Sequence, residues 1–405
     1  MSQMDSAVQP TERSECLKRI QEKKMAVSAE SYVRGSTLSF YNWLRNLKDN
    51  QLPKSPPIWI CGDCHYGNLG PTVSKNGDLA ILIRDFDQTV IGNAAYDIIR
   101  LALSFVMAAR GSDLSGVTTT VMLARILDDY QTAFLPRSSK VSFRPDAIAK
   151  IMHQASRRTW KNLVSDQMEG KQRVLPLGPR FWPLSEDERT ALALMFEGED
   201  LRKLVTLISS RPDDDAIELL DAAYWRKGCS SLGLLRVAAL VKVGKGKNRH
   251  FCLIDIKEAV APNAPQTVHC QSGKSHADRV VEGARHLSPY LGDRMLSTSL
   301  LRKAVFVREL RPQDLKIQID KLTRDEATDI AGYLAFIIGK SHARQLTAKQ
   351  RNDWLKTLNA PSLRGNGGAD WLWKSVSALV GLHEVAYLAH CREFALSTIL
   401  ATGFL

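Results

Sequence analysis

The chain has 405 residues, 44% hydrophobic and 24% charged, and a formal net charge of +12 at pH 7. That balance is expected of a soluble globular protein with room for two lobes, and it excludes a disordered, fibrous or low-complexity chain. No apolar run reaches membrane-spanning length, and no dense basic block marks a nucleic-acid surface. Seven cysteines, an odd number, argue for reduced thiols in a cytoplasm rather than a disulfide framework or a zinc site. The excess of Lys and Arg suits a nucleotide, a polyanion or an acidic surface, although a mixed surface rich in basic side chains accounts for it as well.

Residues 1–27 are polar, lack a periodic pattern and do not resemble a signal peptide, so they read as a tail. A helix is expected over residues 28–47, carrying Arg34 and Gly35. Pro57-Ile-Trp-Ile-Cys61 and Leu79-Ala-Ile-Leu-Ile83 are apolar runs of strand length, with the turn residues Ser74, Asn76 and Gly77 between them. Each run ends in an acidic segment: Gly62-Asp-Cys-His-Tyr-Gly-Asn68 after the first, Arg84-Asp-Phe-Asp87 after the second. Asp63 and Asn68 are five positions apart and Asp85 follows Asp63 by 22. A strongly apolar helix over 94–110 is stopped by Gly111 and has Asp97 in its first turn, where its charge suits the helix dipole. Helical patterns recur over 117–134 and 186–208, the second opened by a capping box from Ser185 to Glu188.

From about residue 221 the character changes to strands. Lys227-Gly-Cys-Ser-Ser-Leu-Gly233 leads into an apolar run over 234–243, a turn over 244–249, and the returning run Phe251-Cys-Leu-Ile-Asp-Ile-Lys257. Gly228, Ser230, Ser231 and Gly233 are small enough for a backbone to approach phosphate, and Lys257 ends the return strand as a candidate phosphate ligand. A helix over 278–287 carries Glu282, and a strand over 304–310 closes the segment. Two long helices, over 324–346 and 371–399, finish the chain; the first carries His342, read as a structural core histidine. Trp354, Trp371 and Trp373 read as packing residues. The division expected is a tail (1–27), a catalytic-loop and helical lobe (28–220), a nucleotide-binding lobe (221–315) and C-terminal helices completing the helical lobe (316–405).

A carboxylate and an amide on one loop, followed by a carboxylate after a short strand, form the polar kit of phosphoryl transfer. In that kit Asp63 orients the acceptor hydroxyl, while Asn68 and Asp85 hold Mg²⁺, with Asp87 as a second metal ligand. The segment Gly62-Asp-Cys-His-Tyr-Gly-Asn68 resembles the G-D-x-H-x-x-N catalytic loop of aminoglycoside and choline phosphotransferases, which are relatives of the protein kinases. Ile83-Arg-Asp-Phe-Asp87 resembles their metal-binding segment, and Ala95-Tyr-Asp-Ile-Ile-Arg-Leu-Ala102 the helix that follows. A bacterial family of uncharacterised proteins with a comparable loop, an "NDFD" segment and a "D-RLA-S" helix resembles this chain more closely still, from about Arg34 to the last long helix. The resemblance implies a two-lobed α+β kinase-like fold, with ATP and Mg²⁺ (or Mn²⁺) as cofactors and an unidentified hydroxyl acceptor as partner. It assigns His65 to supporting the loop or the charge near phosphate, and Glu282 to fixing Lys257. In ordinary kinase-like enzymes the Gly-rich hairpin and Lys strand precede the catalytic loop. Here they follow it, so the lobe order is expected to be circularly permuted, a rearrangement that neighbouring surface termini tolerate.

Duller explanations exist for each residue. An Asp in a Gly-containing loop is commonly a turn former, a Lys at a strand end snorkels to solvent, and a Glu on a polar helix face is a common surface feature. For Asp63 the joint occurrence of His65, Asn68, Asp85 and Asp97 outweighs the turn. Two other function classes fit the same residues. A metal-dependent phosphoesterase would use Asp63 and His65 as a metal pair with Asp85, Asp87 and Asn68, and would draw further on His269, His276 or His286. A non-catalytic nucleotide-binding regulatory protein would keep the fold alone. Nucleotidyl transfer uses the same kit with ATP held in reverse.

Overall fold

A computed structural model describes residues 6–48, 51–111, 116–136, 144–160, 162–163, 174–207, 216–245, 249–265, 274–315, 323–360 and 370–402. It is an α+β protein built from a helical body, two short hairpin-like sheets and one larger antiparallel sheet. Among the described residues no helix is long and apolar enough to cross a membrane.

The chain starts with helices α1 (Arg13–Ala26), α2 (Ala29–Gly35) and α3 (Thr37–Arg45). The expected N-terminal tail is therefore largely helix. Leu17 and Ile20 of α1 are buried in the core of the large sheet, and Arg13 donates to both carboxylate oxygens of Glu188. Two apolar side chains of that kind contribute roughly 1.5–3 kcal/mol each on burial, enough to hold an otherwise polar helix down. The single helix expected over 28–47 is broken at Ser36, whose backbone leaves the helical region at φ −112°, ψ 51°.

Strands β1 (Ile58–Ile60), β2 (Leu69–Val73), β3 (Leu79–Ile83) and β4 (Val90–Gly92) follow. β1 pairs with β4 and β2 with β3, both antiparallel. The turn at Ser74–Gly77 therefore closes a β2–β3 hairpin instead of linking the two apolar runs, and β2 escapes a sequence reading because Gly70 and Pro71 lie inside it. Helix α4 (Ala95–Arg110) ends at Gly111 as its pattern requires and is buried along nearly its whole length. It packs against α5 (Gly116–Thr132), α11 (Arg324–Ala343) and α13 (Asp370–Thr402) to form the helical core. Helices α6 (Asp146–Ser156) and α12 (Ala348–Leu358) complete that body. Trp354 and Trp371 are buried in it, whereas Trp373 is 43% exposed: two residues apart on one helix, Trp371 and Trp373 face different ways.

The large sheet has the order β5-β6-β7-β8-β10-β9, with β5 (Phe181–Trp182), β6 (Ile217–Trp225), β7 (Arg236–Val243), β8 (His250–Glu258), β9 (Met295–Leu300) and β10 (Lys303–Leu310). Alternation along the strands explains its two faces. Val237, Ala239, Val241, Ile254, Ile256, Val305 and Val307 turn to one side, where they meet α1, α7 (Glu186–Phe196) and α8 (Glu199–Thr206). The sequence pattern joins α7 and α8 into one helix, but the chain breaks between Phe196 and Glu199, where Gly198 has extended backbone; Ile208, the expected end, lies outside the described residues. On the opposite face the register sets Arg236 against Lys257, Phe306 against Lys257, and Arg308 against Asp255. Helix α9 (His276–Leu287), followed by the short α10 (Pro289–Gly292), lies between this sheet and β1.

Candidate functional site

The loop after β1 is fixed from below by α4. Asp97 is fully buried, and its two oxygens accept from Cys61 N at 2.7 Å and Gly62 N at 2.9 Å. His342 of α11 lies 3.2 Å from the same carboxylate through Nε2, which must donate because a carboxylate only accepts. Its Nδ1 then accepts from Tyr130 Oη at 2.9 Å, and Trp354 Nε1 donates to that hydroxyl at 3.2 Å. A chain of buried donors from three helices thus ends on the Asp97 carboxylate that holds the loop backbone. Gly62 has φ +77°, and a Cβ there would stand 2.1 Å from the carbonyl oxygen of Gln88, so only glycine fits.

This support presents Asp63, His65 and Asn68 to one cleft. Asp63 Oδ1 accepts from Arg100 Nε at 2.7 Å, and Oδ2 accepts from Thr37 Oγ1 at 3.2 Å. Arg100 is itself buried and donates onward to Val33 O at 2.7 Å. Asn68 donates through its amide nitrogen to Asp63 O at 2.8 Å, which orders the turn, and its amide oxygen has no protein partner among the described residues. His65 is buried with Nδ1 unpartnered, and burial lowers its pKa from 6.5 to about 4, so at neutral pH the ring is uncharged.

Asp85 and Asp87 follow β3. Asp85 lines the cleft with its side chain 47% exposed. Desolvation within the cleft works against its charge, but Lys257, Arg308 and Arg236 together lower its pKa from 3.8 to about 2. Asp87 forms a direct ion pair with Lys257 and keeps Oδ1 buried without a partner. Burial, and next the charge on Asp85, raise its pKa despite that lysine. Lys257 also lies 3.9 Å from Asp85. Next to it on β8, Asp255 accepts from Arg236 at 2.9 and 2.7 Å and from Arg308 at 3.2 and 3.1 Å, and these guanidinium groups hold its carboxyl well below the usual range against the effect of burial.

The cleft between sheet and helical body has a volume of about 570 Å³. Gly228, Ser230 and Ser231 line it from the loop between β6 and β7, whereas Gly233 stands outside the lining; both glycines have φ +99°. Glu282 does not meet Lys257. It pairs with Lys274 at 2.7 Å on the outer side of α9, because Asp87 and Asp85 already occupy the lysine. What α9 brings to the site is Arg279, whose guanidinium donates to the backbone carbonyls of Asp87 and Val260 at 2.9 Å each and also to Thr89 O. Among the lining side chains Lys and Arg outnumber Asp eight to three: Lys24 and Arg34 come from α1 and α2, Arg84 from the end of β3, Arg226 and Lys227 from the Gly/Ser loop, and Arg236, Lys257 and Arg308 from the sheet. Such a cleft selects anions.

Several of these groups escape a motif reading. Arg236, Asp255 and Arg308 each sit inside or at the end of an apolar strand run, and a charge in such a run must find a partner; that is the signal that marks them. Arg100 and Thr37 carry no comparable signal. Cys61 and Cys64 have the C-x-x-C spacing that a cysteine count passes over. Cys64's hydrogen bond favours the Cys61 thiolate, but burial and Asp97 hold that thiol up; burial raises Cys64 well above its ordinary value. Both are unreactive buried thiols by that measure. Among the described residues no three His, Cys, Asp or Glu side chains gather as a metal cluster; His269 lies outside them, and His276 and His286 do not line the cleft.

Over residues 13–393 the chain matches the family described as an uncharacterized protein conserved in bacteria (DUF2252), and it belongs to that family. No curated protein and no solved structure matches it.

Proposed function

We propose that the protein is an ATP- and Mg²⁺-dependent phosphotransferase with a kinase-like, two-lobed fold in permuted order, acting on a hydroxyl of a small molecule or protein. The observation that carries this reading is the meeting of Lys257 with Asp87 and Asp85, 170 and 172 residues apart in sequence, at a cleft that Asp63 and Asn68 also line. The donor groups suit the cofactor. Among the described residues Asn68 offers an amide oxygen without a partner, Asp85 an ionised carboxylate on the cleft, and Asp87 a buried oxygen without a partner. Mg²⁺ takes one or two protein carboxylates and completes its shell with water and phosphate oxygens, so this small set is sufficient. Bound there, the ion would neutralise phosphate charge.

In this reading Asp63, held by Arg100 and Thr37, orients the acceptor hydroxyl. Asn68 and Asp85 hold the metal, with Asp87 between metal and lysine. Lys257 and the backbone around Gly228, Ser230 and Ser231 hold the donor phosphates. Positioning and charge neutralisation supply most of the catalysis in phosphoryl transfer, which is why so few reactive groups are needed. A two-metal phosphoesterase needs more hard ligands than the described residues bring together. The test is isothermal titration of Mg·ATP into the protein, paired with label transfer from γ-labelled ATP to a panel of hydroxyl compounds and proteins. Saturable, Mg²⁺-dependent binding with transfer supports the reading; ATP-independent phosphatase activity without nucleotide binding overturns it.

A further inference from the structure

Helices α1 and α2 supply a wall of the cleft that the donor side of this reaction does not use. Lys24, Val27, Ser31 and Arg34 line it. The wall is anchored at both ends. Arg13 is paired with Glu188 under the sheet, and Tyr387 and His390 of α13 bond to Ala26 O at 3.2 Å and Glu22 O at 2.8 Å. Lys24 Nζ donates to Gly228 O at 2.7 Å and so ties the wall to the Gly/Ser loop.

Arg34 is the group in this wall with unused capacity. It lies 3.6 Å from Glu30 and makes no hydrogen bond to protein among the described residues, while Glu30 also accepts from Tyr66 Oη. Beside it, the buried His65 has Nδ1 without a partner. The two converge over Gly67: a Cβ there would lie 3.1 Å from His65 Nδ1 and 3.3 Å from Arg34 Nη2. A bare backbone, a guanidinium fork and an unpartnered ring nitrogen meet on the Asp63 side of the cleft. A fork of that kind matches the two oxygens of a carboxylate or phosphate.

We infer that Arg34 and His65 Nδ1 form an acceptor-side oxyanion subsite. The hydroxyl compound that Asp63 orients would then itself carry a phosphate or carboxylate group. The inference rests on the phosphotransfer reading for the word acceptor, but the anion site is testable without it.

The test uses the full chain saturated with Mg·AMP-PNP. Sulfate, as a phosphate-like probe, and acetate, as a carboxylate probe, are titrated at constant ionic strength against chloride while the melting temperature is followed. Arg34→Gln is the test variant. Arg19→Gln, on the exposed side of α1, removes the same charge elsewhere. A saturable rise with sulfate, acetate or both is expected in wild type and Arg19→Gln and should be absent in Arg34→Gln, whose Mg·AMP-PNP affinity should stay within about threefold of wild type. Which anion acts tells a phosphate-bearing from a carboxylate-bearing compound. Equal responses in wild type and Arg34→Gln, or no anion-specific rise in either, overturn the proposal. So does a tenfold loss of Mg·AMP-PNP affinity in Arg34→Gln, which would hand Arg34 to the nucleotide. If Mg·AMP-PNP fails to bind at all, the phosphotransfer reading falls, and the same titration on the nucleotide-free protein decides the anion site by the same outcomes.

Discussion

Lys257 of β8 and Asp87 of the loop after β3 form an ion pair between the large sheet and that loop, and Lys257 reaches Asp85 at 3.9 Å as well. One cation thus stands between two carboxylates only two residues apart. Their environments separate them: three surrounding cations lower the Asp85 pKa against desolvation in the cleft, while burial and the Asp85 charge raise that of Asp87. Two neighbouring acids in such different surroundings suit different tasks. Asp85 faces the cleft, where the proposed metal would bind, and Asp87 holds the lysine.

Substituting the two acids separately tests that division. Asp85→Asn should raise the Kd for Mg·ATP at least about tenfold and remove its Mg²⁺ dependence, since an anionic ligand is lost where phosphate charge must be offset. Asp87→Asn should cost less in affinity, because Lys257 remains and still faces Asp85. Calorimetric titration with and without Mg²⁺ reads both. Wild-type affinity in Asp85→Asn would remove that residue from the site, and a larger loss in Asp87→Asn would exchange the two roles.

His65 gives a pH dependence whose sign is fixed by burial. Its folded pKa of about 4 lies below the ordinary 6.5, so between those values the unfolded chain binds a proton that the folded chain does not. Stability from this group is therefore present above pH 6.5 and lost as pH falls toward 4, by about 3 kcal/mol at most. His65→Gln should flatten that part of the stability curve without altering it above pH 7. His383, lowered to about 4 by burial and Arg100, adds a slope of the same sign, so part of the fall should remain in the variant. Urea melts from pH 4 to 8 make the comparison, and an unchanged slope would show that His65 is accessible to protons in the folded protein.

Asp97 should matter first to folding. It accepts two loop N–H groups and faces His342 with no exposure to solvent. Asp97→Asn replaces one accepting oxygen with a donor that must oppose an N–H, at a cost of roughly 2–4 kcal/mol. Denaturant unfolding should show a lower midpoint at unchanged slope. A change under about 0.5 kcal/mol would mean that the loop is held by its other bonds, through Tyr41 and Thr89.

Some of this architecture is plain in the sequence because local signals agree there. The apolar stretch that becomes α4 is stopped by Gly111, and the box at Ser185 caps α7 as its spacing indicates. The acidic segments at Asp63 and Asp85 stand at strand ends, as their flanking apolar runs suggest. What is not legible depends on distant partners. Arg13 marks α1 as buried only because Glu188, 175 residues away, receives it. Glu282 reads as a partner for Lys257 until the fold brings Asp87 to the lysine first. Nothing local to Asp63 announces Arg100, one turn inside an apolar helix, as the group that holds it.

Arg100 also decides how the role of Asp63 should be tested. Asp63→Ala would leave a buried guanidinium facing empty space, and its effects would mix chemistry with folding. Asp63→Asn keeps an oxygen for Arg100 Nε while removing the carboxylate that an acceptor hydroxyl would meet. If Asp63 orients the acceptor, this variant should hold Mg·ATP within about threefold of wild type, since Asn68, Asp85 and Lys257 remain. Transfer should fall by about 10²–10⁴, the range associated with losing a positioned acid–base group. If Asp63 were a metal ligand of a phosphoesterase, the same change would weaken metal binding, and hydrolysis in the wild type would not require ATP. Calorimetric binding and γ-label transfer, measured on the same preparations with unfolding midpoints matched, separate the two. Loss of metal binding in Asp63→Asn together with ATP-independent hydrolysis by wild type would overturn the phosphotransferase assignment.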